Sequence, residues 1–273
     1  MVVPYATPRA RALGLELRAA REKRKLGVRE LARLLGIAPG FLSNWERGVR
    51  LPKPEDVGAV LAHCRVIGDE RHRIVEMARG AQETNWLGTS TEGAYLEWEK
   101  TATTLFAWEP LLVHDLLQTS SYARIVLRSP GVENVERLVA ARLDRREVFE
   151  RGKLTECVIV LGEAALRKRV GGPEVMADQL RYLRSVLEYD HIDLRIMPID
   201  NDFHPGLSGA FSIFDFSDLP TIVYEELSNE SAHSSSTERV RHYKSAAKSI
   251  KDLAFRDDRA RELIDGILRG LTE

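Results

Sequence analysis

Phe41, Ser43, Asn44 and Arg47 fall on the side of a short helical stretch that its apolar residues leave open, with Arg50 and Lys53 just beyond it. An asparagine amide can pair bidentately with adenine, an arginine can reach guanine or phosphate, and a phenylalanine ring can meet a thymine methyl. Arg50 and Lys53 have the charge and reach for phosphate oxygens, which position a protein on nucleic acid without reading sequence. Arg9 and Arg11 are expected to add phosphate contacts from an N-terminal arm. Pro39 and Gly40 open the same stretch and carry no donors. The spacing therefore predicts a surface with few direct base contacts and strongly salt-dependent affinity.

These side chains need a scaffold, and residues 11–80 supply its pattern. From Arg11 to Lys25, Leu13, Leu17 and Ala20 share one helical face. The segment "VRELARLL" places Leu31, Ala32 and Leu35 together. Gly36 is suited to end that helix, and Pro39 to begin the next at its first position, where a missing N–H costs nothing. Within "GIAPGFLSNWERG" (36–48), Ile37, Leu42 and Trp45 are the expected core. Two more helices are expected near 54–64 and 69–80. Five short helices, two of them joined by a glycine-containing turn, give a helix-turn-helix signal. The charge agrees: residues 1–80 carry 16 Lys and Arg against 9 Asp and Glu, whereas the whole chain of 273 residues has a net charge of −1. A basic front joined to an acidic remainder suggests nucleic acid at one end and another partner at the other.

The expected organisation is a flexible arm over 1–10, the helical domain over 11–80, a linker over 81–91, and an α+β domain with a small mixed sheet over 92–273. In the last region helices are expected over 95–108, 120–129 with Ser120 as N-cap, 132–152, 173–189, 237–254 and 257–270. Strand-like runs lie at 154–162, 192–199, 209–216 and 221–227. The stretch "SNESAHSSSTE" (228–238) reads as a polar surface loop. The order of the strands is left open.

The segment "LRAAREKRKLGVRELARLLGIAPGFLSNWERGVRLP" resembles the Cro/C1-type (XRE) DNA-binding domain over about residues 11–65. That resemblance implies a buried ion pair between Arg21 and Glu46 that orients the recognition helix. Val28 stands where the family usually has a polar phosphate-gripping residue, and Pro39 and Gly40 stand where base-reading side chains are usual. Further on, "WEPLLVHDLLQTSSYARIVL" (108–127), "RLDRREVFER" (142–151) and "VIVLGEAALRKRVGGPEVMADQLRYL" (158–183) resemble actinobacterial antitoxin-like XRE regulators with a long C-terminal domain. So do "IDLRIMPIDNDFHPGLSGAFSIFDF" (192–216) and "IVYEE" (222–226). The resemblance implies a transcription regulator, often paired with a small protein encoded next door.

The second region offers several candidate effector or partner contacts. Arg142 and Arg146 are i, i+4 on the expected long helix, and a half-buried arginine needs a carboxylate. Glu163, just after a strand, is the expected partner. Gln118 lies in the family-like stretch 108–127. Trp98 belongs to an aromatic cluster with Trp86, Tyr95, Phe106 and Trp108, a ligand cage or, more simply, core. His204 sits in the loop "DNDFHPGLSG" (200–209), a connection or the cover of a pocket. The seven histidines and two cysteines have no metal-ligand spacing, and no nucleophile or phosphate-loop motif stands in context. Cys64 and Cys157 read as buried thiols in a reducing setting, and no run approaches the ~20 apolar residues of a membrane span.

The combined expectation is a cytoplasmic homodimer that binds double-stranded DNA and regulates transcription, with no catalysis, cofactor or metal. Its C-terminal domain would sense a small neighbouring protein or a small-molecule effector. The alternative is an antitoxin-like interaction module that neutralises a partner, with DNA binding secondary.

Overall fold

The structure is a computed structural model and describes residues 6–88, 92–128, 133–151, 153–227 and 230–272. The chain packs as two compact units, Met1–Trp98 with Asp218–Val240, and Glu99–Ser217 with Arg241–Glu273. The segment Asp218–Val240 groups with the first unit, so the second gathers residues from both sides of it.

The first unit opens with five helices, α1 (Pro8–Lys23), α2 (Val28–Leu34), α3 (Pro39–Glu46), α4 (Pro54–His63) and α5 (Gly68–Arg79). The helix-turn-helix is α2 and α3. Gly36 takes φ +68° just after α2, a left-handed conformation open to glycine at little cost. Pro39 opens α3. Leu13 and Leu17 of α1, Leu31 and Ala32 of α2, and Leu42 and Trp45 of α3 are buried together in this unit. The chain starts its first helix earlier than Arg11 because Thr7 caps it. The Thr7 hydroxyl accepts from Ala10 N at 3.0 Å and donates to Ala81 O. Residues 6–10 are thus not a loose arm; residues 1–5 lie outside the described residues.

The expected linker holds strand β1 (Asn85–Gly88). After it come α6 (Glu92–Thr101), β2 (Thr104–Glu109), α7 (Ser120–Val126), α8 (Val135–Asp144), α9 (Glu147–Arg151) and β3 (Glu156–Gly162). The chain continues through α10 (Glu163–Arg167), α11 (Pro173–Val186), β4 (Asp193–Met197), β5 (Phe211–Asp215), β6 (Ile222–Glu226), β7 (Ser231–Ser234), α12 (Thr237–Leu253) and α13 (Asp257–Thr272). The fold is an all-helical N-terminal region followed by an α+β region, and the unit boundary falls within α6 and within α12.

In the first unit β7 lies between β1 and β6, antiparallel to both. The expected polar loop is therefore partly a buried strand. Its serines and histidine tolerate burial because they bond one another: Ser231 Oγ meets His233 Nε2 at 2.7 Å, and Ser234 Oγ donates to Asn85 Oδ1 at 2.6 Å. The His233 ring stacks on Trp86 at 4.6 Å and meets the edge of Trp98 at 5.1 Å.

In the second unit β2 is parallel to β3 and antiparallel to β5, and β3 is parallel to β4. This is a mixed sheet with order β5-β2-β3-β4. The pattern over 95–108 predicted continuous helix, but α6 stops at Thr101 and β2 begins at Thr104. Leu105 through Trp108 are all buried, as in a central strand whose two faces are both covered. Such a strand loses the alternation that marks it in sequence, and a short apolar run is then ambiguous with helix. Three threonines at 101, 103 and 104 mark the change. The expected helix over 132–152 breaks after Asp144, where no apolar side chain between Leu143 and Val148 anchors it. Thr119, not Ser120, caps α7, its hydroxyl accepting from Tyr122 N at 3.3 Å.

Burial lowers both His114 and His233 to about 4. In the unfolded chain each titrates near 6.5. Between those values the unfolded chain takes up protons that the folded chain refuses, so stability falls as pH drops from about 6.5 toward 4. The shift corresponds to about 3 kcal/mol for each ring. Urea unfolding at pH 7 and pH 4.5 is expected to show this loss, and His114→Gln is expected to remove a large share of the slope.

Candidate nucleic-acid interface

The outward face of α3 is built by what the helix buries. Leu42, Trp45 and Glu46 face inward, while Phe41, at 40% exposure, and Arg47 face out, with Ser43 and Asn44 partly exposed. α3 crosses close to α1 at Gly14. A Cβ there would come within 2.5 Å of Trp45 O and 2.6 Å of Glu46 O, so only glycine permits the approach. The crossing is locked by the ion pair the sequence resemblance implied. Arg21 Nε donates to Glu46 Oε1 at 2.6 Å and Nη2 to Oε2 at 2.8 Å, both side chains buried. The third nitrogen, Nη1, donates to Leu26 O at 2.9 Å, tying the pair to the loop before α2. The bond to Glu46 raises Arg21 above its usual range, so its charge is fixed.

The exposed polar groups beside α3 are partly organised among themselves. Arg47 Nη2 donates to Asn44 Oδ1 at 2.6 Å. The Arg50 guanidinium lies 4.3 Å from the centre of the Phe41 ring, a cation–π contact that holds a basic group beside the helix. Lys53 is exposed at the N-cap of α4, with its backbone N–H donating to Asp56 at 3.1 Å. Arg9 and Arg11 are placed differently from expectation. Arg9 donates to Met77 O at 3.1 Å and Glu76 O at 2.8 Å, capping the end of α5. Arg11 is buried, and loss of water lowers it to about 9.

The six residues proposed for effector or partner contact are divided. Trp98 is fully buried in the first unit against His233. In the second unit, Gln118, Arg142 and Arg146 do come together. Arg142 Nη1 bonds Gln118 Oε1 at 2.9 Å and Asp115 at 3.0 Å, and Arg146 donates to Gln118 O while lying 4.6 Å over the Tyr182 ring. Gln118 Nε2 in turn donates to Val113 O at 2.8 Å. Glu163 is not their carboxylate. It opens α10, pairs with Arg167 at 2.6 Å and accepts from Ile199 N at 2.9 Å. A partner one turn along its own helix is always within reach, whereas Arg142 meets Asp115 first.

Sequence reading missed the centre of this network, Arg145. It grips buried Glu99 through Nε and Nη2 at 3.1 and 2.8 Å and reaches Asp115 through Nη1 at 3.0 Å. Burial raises Glu99 against the pull of Arg145. Burial also pushes Asp115 up, but Arg142, Arg145 and His114 outweigh it and the carboxyl is lowered overall. The one sequence signal was Glu99 itself, an acid directly after the core residue Trp98. His204 is buried edge-on to Trp108, at 5.6 Å between ring centres, and loss of water lowers it. Cys64 and Cys157 are buried free thiols. Among the described residues no group of His, Cys, Asp and Glu is placed to hold a metal, and no helix is long and apolar enough to cross a membrane.

The fold of the first unit defines a helix-turn-helix protein. A family model described as a helix-turn-helix domain matches residues 12–74. The chain belongs to the family described as domain of unknown function (DUF5753), whose model matches residues 93–266. Among solved structures, the chain is similar to the clp gene regulator ClgR from C. glutamicum. The identity is 28%, over 28% of this chain and 92% of that one, with a TM-score of 0.23. It is also similar to TrmBL2, an archaeal chromatin protein, at 14% identity over 89% of this chain and 93% of that one, with a TM-score of 0.30. No curated protein matches.

Proposed function

We propose that this protein is a sequence-specific regulator of transcription that binds double-stranded DNA through α3. The reading is carried by the outward face of that helix, where Phe41, Asn44 and Arg47, with Arg50 and Lys53 beside them, stay at the surface while Arg21 and Glu46 fix its orientation. One helix-turn-helix reads only a few base pairs, so the protein acts as a homodimer on half-sites about one helical turn apart. It works in the cytoplasm and without catalysis. The region 93–266 is not needed to build the α3 face, and its role is to receive a signal from a small partner protein or a small-molecule effector. The signal shifts the pair between states of different DNA affinity.

The test is binding of the purified chain to duplex from its own upstream region and to scrambled duplex over a salt series. Preference for the native duplex with a steep salt slope supports the reading. Lys53→Ala is expected to weaken binding to both duplexes alike and to shallow the slope by about one. An unchanged slope would place Lys53 away from phosphate. Equal, weak binding to both duplexes would favour the antitoxin-like module, in which a partner protein is the main ligand.

A further inference from the structure

We propose that the α3 face reads guanine, through Asn44 and Arg47 acting as one donor unit; the inference rests on the DNA-binding reading above. Asn44 alone suits adenine, because its carbonyl accepts from the adenine amino group while its amide donates to N7. Here one of the two lone pairs of that carbonyl is occupied. Arg47 Nη2 donates to Asn44 Oδ1 at 2.6 Å, and a guanidinium has only donors, so the amide orientation follows from the chemistry of its partner. What Asn44 offers unencumbered is its NH2 group. Arg47 adds its remaining N–H groups, preorganised by the same bond.

The rest of the outward face supplies little that would accept. Pro39 and Gly40 have no polar side chain, and Phe41 has a ring whose face is covered by Arg50. The one carboxylate of α3, Glu46, is buried and bonded to Arg21, so nothing acidic is presented to a cytosine amino group. Ser43 alone can accept, through a hydroxyl that donates equally well. Guanine matches a surface dominated by donors, since both of its major-groove edge groups, N7 and O6, are acceptors. Adenine would require Asn44 Oδ1 to accept a second bond with the Arg47 guanidinium already held against it. Arg47 supplies the main base contact, and Asn44 both aims it and offers its NH2 group beside it.

The experiment is selection of bound duplexes from a random library by the full chain, followed by competition with substituted duplexes. The expected half-site contains a G·C pair whose change to A·T weakens binding roughly tenfold to a hundredfold. Replacing that guanine by 7-deazaguanine, which lacks the N7 acceptor, is expected to weaken binding about tenfold. Arg47→Ala is expected to abolish the preference at that pair alone, and Asn44→Ala to reduce it, with preferences elsewhere kept. Because the key substitutions are in the DNA, misfolding of a variant cannot imitate the result. An enriched site whose Asn44- and Arg47-sensitive pair is A·T overturns the guanine assignment and leaves the regulator reading intact. A library that yields no enriched sequence overturns that reading, and the assignment with it.

Discussion

Glu46→Ala is expected to cost the helix-turn-helix unit about 3–5 kcal/mol, as removal of one partner from a buried ion pair generally does. Most of the loss comes from what remains. Arg21 keeps its charge, is buried, and loses the two bonds at 2.6 and 2.8 Å that satisfied it. Its bond to Leu26 O and a longer contact to half-exposed Glu22 at 3.5 Å survive, and these do not replace the two short bonds to a buried carboxylate. The double substitution Arg21→Met with Glu46→Leu is expected to recover most of the stability, because an apolar pair of similar volume removes the stranded charge. Urea unfolding of the four proteins in this cycle checks both statements. A single-variant loss below about 1 kcal/mol would mean that the pair behaves as a solvated surface bridge. Recovery of stability without recovery of duplex binding would show that the pair serves to orient α3.

Arg145→Ala should have an effect of similar size in the second unit. Glu99 is 1% exposed and holds Arg145 through both carboxylate oxygens. Removing the guanidinium leaves a buried carboxylate, and the expected cost is about 3–5 kcal/mol. Asp115 keeps Arg142 and suffers less. The loss has a pH signature. Glu99 is already raised by burial, and without Arg145 it rises further above its unfolded value. The folded variant then binds a proton that the unfolded chain releases, so its deficit relative to wild type narrows as pH falls. Unfolding at pH 7.5 and pH 5.5 measures this. A deficit independent of pH would mean that the loss is one of packing. Glu99→Gln in the Arg145→Met background is expected to restore much of the stability.

The helical N-terminal unit was largely legible in the residues. Its helices are short, amphipathic and punctuated by glycine and proline, and neighbours in sequence are neighbours in space. The same was true of β3 to β6, whose apolar runs lie between turn signals. The chain could not announce β2 in that way, because both of its edges pair with strands, β3 and β5, about 50 residues and 100 residues downstream, which makes it a central strand buried throughout. β7 is polar by composition and is buried as a strand with Ser231 bonded to His233 Nε2 and Ser234 to Asn85.

The candidate interface divides along the same line. Residue types and helical spacing chose Phe41, Ser43, Asn44 and Arg47 as the outward face, and the resemblance implied the Arg21–Glu46 pair. Only the tertiary structure took Arg9 and Arg11 away from that face, joined Asn44 to Arg47, and put Arg145 rather than Arg146 at the centre of the second unit's network. Glu99 and Arg145 are 46 residues apart in the chain. Local spacing determines which side of a helix a residue occupies, because helix geometry repeats every few residues. Which charge a buried arginine meets is decided by folding distant segments together, and a local pattern carries no record of that.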